Sequence, residues 1–257
     1  MARGAKQTAL KPHTLKAFEA YVRKAEAQME QTQLESSSFL WSDASSERSQ
    51  QIHKGQIVAQ FWSGQRPVSV PDGLIHDWIG AAFLPATNLK KTLALIQDYD
   101  NHKNIYKPEV MDSKLIRHRD NDFQIYLRLL KKKIITVVLD TDHKVHYDSL
   151  NPTRSVCRSY TTRIAEVENA RSPKEKVLPP DTGYGFLWRL NSYWRFQERD
   201  RGVCAECRAI SLTRDVPLGL AWIVKPIIQN LPKESLIKTL DSTRLALHAS
   251  VAGHVPG

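Results

Sequence analysis

The chain has 257 residues, 41% apolar and 25% charged, an ordinary globular composition with length enough to bury a core without disulfide staples. Thirteen prolines and eleven glycines exclude a collagen-like or wholly disordered chain, and no apolar run approaches the roughly 18 residues of a membrane-spanning helix. The net charge of +10 is dispersed, residues 1–30 and 184–214 each holding six basic and three acidic side chains, which fits a solvated surface with weak affinity for anionic membranes and no nucleic-acid groove.

Residues 1–51 read as an N-terminal extension. Met1 to Lys6 is basic without the apolar core of a secretory signal, so the protein is expected in the cytoplasm, or in the periplasm or outside the cell had a signal been trimmed. Over 12–34, Leu15, Phe18, Val22, Ala25 and Met29 recur at three- and four-residue steps among Lys and Glu, the period of an amphipathic helix. From Glu35 to Gln51 the chain is Ser-rich and linker-like, broken by Phe39-Leu40-Trp41, an aromatic stretch expected to dock on the main domain.

Residues 52–248 carry sheet punctuation. Strands are predicted over Ile57–Trp62 and Leu74–Leu84, and a helix over Asn88–Tyr99 capped by Thr87 or Asn88. Strands follow at Val110–His118, Phe123–Leu130, Ile134–Leu139, Lys144–Asp148, Val156–Val167, Tyr184–Gln197 and Val203–Thr213, with a hairpin turn at Thr141-Asp142-His143. Pro217 opens a helical tract ending near His248, with a kink or break expected at Pro226 and Pro232. Residues 249–257 read as a flexible tail. The order predicts an α+β domain whose antiparallel sheet curls around a long C-terminal helix.

The last hairpin is the most informative. Tyr184, Phe186, Trp188, Leu190, Ser192, Trp194 and Phe196 share one parity, nearly all large and apolar, and a tight turn at Asp200-Arg201 pairs Trp194 with Cys207, Phe196 with Ala205 and Leu190 with Ser211. The same register sets Arg195 opposite Glu206 on the outer face. Bulk on one strand facing small residues on the next means interdigitated packing by default, or a hollow if the C-terminal helix holds its face (Leu220, Ile223, Ile227 and Leu231) away from the sheet.

Residues in patterns suited to catalysis are few. Cys204-Ala205-Glu206-Cys207 spells C-x-x-C, but residues three apart on a strand face opposite ways and no second pair completes a zinc site. Three cysteines in all fit a reducing compartment. His146 and Asp148 share a parity within the polar run 140–148, where turn chemistry is the simpler reading than metal. His76 and Asp77 are adjacent and face opposite ways, and His102 reads as a surface histidine. No metal, cofactor or catalytic residue is assigned.

The runs Gly73-Leu74-Ile75-His76-Asp77-Trp78-Ile79-Gly80, Leu95-Ile96-Gln97-Asp98-Tyr99-Asp100 and Tyr106-Lys107-Pro108-Glu109-Val110, with 186–196 and 206–215, resemble START-like (SRPBCC) domains, in particular uncharacterised bacterial members, over about residues 52–248. The resemblance implies a helix-grip fold with a cavity between sheet and terminal helix, and binding or transfer of a lipid or other hydrophobic small molecule. It carries no shared catalytic motif. The ligand-binding residues expected are Tyr184, Trp188, Ser192, Trp194, Phe196, Cys207, Ser211, Ile223 and Ile227, with Tyr184, Ser192 and Ser211 orienting a headgroup and 217–231 serving as a gate. The alternatives are an enzyme acting on an apolar polyketide-, sterol- or quinone-like substrate, with Tyr184, His76 or His146 as acid or base, and an interaction domain with a filled core. Oligomeric state is left open.

Overall fold

A computed structural model describes residues 7–35, 38–62, 64, 67–132, 136–215 and 221–252, without the side chains of 32–35, 221–230 and 250–252. Twelve strands and five α-helices are present among them. The strands that shape the molecule are β4 (Gly73–Pro85), β5 (Val110–Arg119), β6 (Asp122–Lys132), β7 (Thr136–Asn151), β8 (Arg154–Glu168), β11 (Arg189–Arg199) and β12 (Gly202–Arg214), with β2 (Val58–Phe61) at the margin. They form one antiparallel sheet in the order β2-β4-β12-β11-β8-β7-β6-β5. Consecutive hairpins carry the chain from β5 to β12, which returns beside β4.

The β11–β12 hairpin has the register that alternation demands. Trp194 pairs Cys207, Phe196 pairs Ala205, Leu190 pairs Ser211 and Arg195 pairs Glu206. Asp200 and Arg201 both take positive φ, 53° and 57°, as a two-residue turn matched to strand twist requires.

Helix α5 (Ala221–Ala252) lies on the inner face against β4, β2 and β12. Leu236 and Leu240 sit over Gly80, where an added Cβ would fall within 2.9 Å of Leu236, so glycine permits the close approach of helix to strand. The inner core joins Leu236, Leu240 and Leu247 to Trp78, Leu84, Phe123, Val145, Tyr147, Phe196 and Val203. The expected two-part helix is not seen: α5 runs as one helix through Pro226 and Pro232.

The opposite face is covered as well. Helix α1 (Pro12–Glu35) presents Thr14, Phe18, Val22 and Ala25, all buried, at steps of four, four and three and packs on Ile75, Trp188, Tyr193, Ile210 and Leu212. Polar fasteners surround it. Thr14 donates to the Pro71 carbonyl at 2.8 Å, Tyr21 to Asp77 at 2.8 Å, and Tyr160 and Tyr193 both donate to one oxygen of Glu26 at 2.7 and 2.9 Å. The Ser-rich stretch supplies a helix where a linker is expected. Trp41–Ala44 forms a short 3-10 turn and α2 spans Ser46–His53, capped by the Ser45 hydroxyl, because serine is as much an N-cap as a linker residue. Phe39 and Leu40 dock on Val156 and Cys204, as the aromatic break predicts.

Two further sequence expectations are corrected. There is no turn at 141–143: β7 is a single strand in which Thr141, His143, Val145 and Tyr147 alternate inward with Asp140, Asp142, Lys144 and His146 outward, the ladder to β8 shifting at Asp142/His143. Outward aspartates that imitate turn residues are held by arginines, Arg128 to Asp140 at 2.7 Å and Arg163 to Asp142 at 3.4 Å. Glu206 lies opposite Arg195 as the register predicts, and the two attract. Glu206 is buried and accepts the Trp41 and Ser42 backbone N–H groups at 2.8 and 2.7 Å, while Arg195 donates to the Phe39 and Met29 carbonyls. His102 is buried rather than at the surface, bonded to the Ile96 carbonyl at 2.9 Å.

Candidate ligand-binding site

Directly paired residues of antiparallel strands point to the same face, so register lays out the inner floor row by row. One row runs Trp78, Ala209, Ser192, Ser159, Val145 and Phe123 across β4, β12, β11, β8, β7 and β6. The row beside it begins His76, Ser211, Leu190 and contains Thr161, His143 and Ile125 further across. Because α5 rests on the β4 side of the sheet, central inner residues keep access to solvent. Leu190, Ser192 and Trp194 on β11, Ala209 on β12 and Ser159 on β8 are only partly buried, whereas outward-facing Asn191, Tyr193, Arg208 and Ile210 on the same two central strands are buried under α1 and its neighbours. These inner positions are open in part, as Arg158, Tyr160 and Arg195 are on the outer face.

The floor is apolar with set polar points. Phe61 lies 3.8 Å from the Trp78 ring, and the Lys233 ammonium stands 5.9 Å from that ring. His76 is fully buried, its Nε2 bonded to Thr213 Oγ1 at 3.0 Å. Its Nδ1 and the indole Nε1 of Trp78 have no partner. Burial pulls the His76 pKa down to about 4, and that of His143, whose Nε2 meets Thr141 Oγ1 at 2.9 Å, equally to about 4. Both imidazoles are therefore neutral at pH 7. Deeper in, Tyr99 and Tyr147 share a 2.8 Å hydroxyl bond, and burial raises the Cys157 thiol to about 12 and holds the Cys207 thiol well above its usual range, making both inert hydrophobic fillers.

Of the residues singled out by parity, Ser192, Trp194, Phe196, Cys207 and Ser211 share the inner face. Tyr184 and Trp188 do not. The strand begins at Arg189, and residues 184–186 instead form a loop whose three N–H groups donate to the buried Glu166 carboxylate at 2.7, 2.8 and 3.0 Å. Parity lapses there, and Trp188 packs under α1 on the outer face. The side chains of Ile223 and Ile227, with Trp222 and residue Leu220, lie outside the described residues. Ser159 on β8 is not among the residues expected from the sequence, and His76 is expected there only as a candidate acid or base. The register of β8 on β11 would have found the first, and inward parity alone the second.

The candidate acids and bases do not converge. His76 meets Thr213, His146 bridges Asp122 and Asp148 at 2.8 and 3.1 Å on the outer side, and the Tyr184 hydroxyl donates to Glu168 at 3.1 Å. The cysteines of C-x-x-C part as strand parity requires, Cys204 to the cluster under Phe39 and Leu40 and Cys207 to the inner core. Among the described residues no group of three side chains is placed to hold a metal. On the outer face, a recess between α1, β8 and β11, lined by Glu26, Met29, Arg158, Tyr193 and Arg195, has room of about 30 Å³, enough for a water and not for an organic ligand. No helix among the described residues is long and apolar enough to cross a membrane.

An antiparallel sheet whose last strand returns beside its first long one, with a terminal helix laid across one face, is a helix-grip arrangement. A STAR-related lipid transfer protein fragment from Xanthomonas axonopodis is similar at 14% identity over 72% of this chain and 98% of its own, with a TM-score of 0.45. The Zhui aromatase/cyclase from Streptomyces sp. R1128 is similar at 8% identity over 70% and 99%, TM-score 0.48, and human STARD10 at 11% over 74% and 76%, TM-score 0.46. No family model and no curated protein matches the sequence.

Proposed function

We propose that the protein binds, and transfers or presents, a hydrophobic small molecule or lipid held between the inner face of the sheet and α5. One observation carries the reading: Leu190, Ser192, Trp194 and Ala209 stay partly open in mid-sheet on the inner face, beside the apolar core under α5. A packed protein interior leaves no such access, and an apolar floor with a few fixed polar groups is the usual form of a small-molecule site. Each 100 Å² of apolar surface buried there contributes about 2.5 kcal/mol. Ser192, Trp194, Phe196, Cys207 and Ser211 belong to this floor. Binding rather than catalysis is favoured because His76, His146 and Tyr184 each have separate partners and none faces another.

Native mass spectrometry of the protein purified from cells, paired with displacement of an environment-sensitive fluorescent lipophile, tests the proposal. A co-purifying apolar mass or saturable displacement is expected. A bare chain that also fails to take up the fluorophore overturns it.

A further inference from the structure

One end of the molecule collects cations that the fold leaves without counterions. The β11–β12 turn, the junction from β4 into α3 (Leu89–Gln97) and the C-terminus of α2 meet there. The Arg201 carbonyl accepts the Ala86 N–H at 3.0 Å, Glu198 on β11 accepts the Leu89 N–H at 2.8 Å, and His53 at the end of α2 bonds Asp200 at 3.1 Å. Lys54, Lys90, Lys91 and Arg201 stand at this junction, all exposed, and none has an ion pair among the described residues. The carboxylates beside them are already engaged: Asp200 by His53 and Arg199, Asp43 by Arg199, and Glu198 by the Leu89 N–H.

Three of these four cations are kept against local preference. Lys90 and Lys91 lie in the first turn of α3, which holds no acidic residue, although the positive end of the helix dipole disfavours cations there. Arg201 has a φ of 57°, a left-handed conformation that costs any side chain and that glycine, the usual second residue of such a turn, adopts freely. Both departures weaken the folded chain, and both put positive charge on the same end of it. Breaches of local rules without a structural gain gather at functional sites.

The make-up of this end selects the partner. None of the exposed large hydrophobic side chains lies on α2, the β4–α3 junction or the β11–β12 turn, and lysine supplies three of the four charges. Protein interfaces are depleted of lysine and enriched in aromatic residues. A bilayer rich in anionic lipid attracts lysine and arginine alike, each contributing about fivefold to binding. Charges on flexible stems from separate elements suit such a surface, because they respond to charge density over an area rather than to the outline of one ion.

We propose that this end docks on an anionic lipid bilayer, with Lys54, Lys90, Lys91 and Arg201 meeting its negatively charged headgroups. Docking here is independent of what the inner face holds.

The test is co-sedimentation of the full chain, at about 0.1 M salt, with vesicles of phosphatidylcholine alone or with phosphatidylserine added at about three to one. Partitioning onto the anionic vesicles is expected to exceed that onto the neutral ones by at least about tenfold. In Lys90→Gln/Lys91→Gln/Arg201→Gly it should fall by about a hundredfold, while Tm rises by about 3 °C as the dipole and φ penalties are relieved. Lys54→Gln alone should lower it about fivefold and serves should the triple variant fail to fold. Lys16→Gln/Lys24→Gln/Lys144→Gln removes the same charge from exposed positions elsewhere and should change partitioning less than about threefold. Equal loss in that control overturns the assignment in favour of dispersed net charge. Absence of binding to anionic vesicles, as a surface built for an acidic protein gives, overturns the bilayer as partner.

Discussion

At the scale of single residues, burial sets charge. His76 and His143 sit on the inner face with imidazoles held neutral because protonation there would put a charge where little water reaches. In the unfolded chain both titrate near 6.5 and in the folded one near 4. Between those values the unfolded state binds more protons, so stability is complete above pH 6.5 and is lost as pH falls to about 4, by about 3 kcal/mol per histidine. Buried Glu166 and Glu206, whose pKa values burial raises, act in the opposite sense by favouring the protonated folded form. Urea unfolding midpoints measured from pH 7 to 4 should therefore fall less steeply in His76→Asn/His143→Asn than in the wild type. Parallel curves would contradict the assignment of neutral, desolvated imidazoles.

Between elements, α1 is bound to the sheet by polar as much as by apolar contact. Arg208 on β12 donates to both oxygens of Asp77 on β4 at 2.9 and 2.6 Å, Tyr21 of α1 donates to the same carboxylate, and Trp62 lies 4.1 Å from the guanidinium. Arg208 and Asp77 have 4% and 1% of their side-chain surface exposed. Removing one charge of such a pair leaves the other buried and unmatched, so Asp77→Asn should cost about 3–5 kcal/mol, read from chemical denaturation. A cost below about 1 kcal/mol would mean that water reaches the guanidinium and that α1 does not seal this face.

The helices themselves show what a linear reading can and cannot recover. The α1 stripe and the Asn88-capped α3 (Leu89–Gln97) are legible because 3.6-residue periodicity and capping chemistry are local properties. Turn-like Asp140 to His143 misleads because aspartates that look like turn residues are held on a strand by arginines, Arg128 on the neighbouring β6 and Arg163 on β8. Tyr184 and Trp188 mislead because the reach of parity ends where Glu166, nearly twenty residues upstream, gathers the loop N–H groups.

On the scale of the whole molecule, the sheet carries α1 on one face and α5 on the other, and the proposed site lies on the α5 side. A ligand taken up there binds the folded state alone and stabilises it by mass action, by about 2.7 kcal/mol at a hundredfold excess over Kd. For a chain of this size that raises Tm by roughly 5–10 °C. Thermal melts with an excess of the fluorescent lipophile provide the measurement, and a flat Tm across a saturating range would count against an inner-face site.

The sequence by itself determined the register of the β11–β12 hairpin and the inward set from Ser192 to Phe196, since alternation and a two-residue turn are written in consecutive residues. Tertiary structure alone decided that the outer face is covered by α1 and Phe39–Leu40, that Glu206 is spent on holding that cover, and that Ser159 and His76 join the floor. These depend on contacts between residues as many as 165 positions apart. Such pairings follow from how the sheet closes on itself, which no local period encodes.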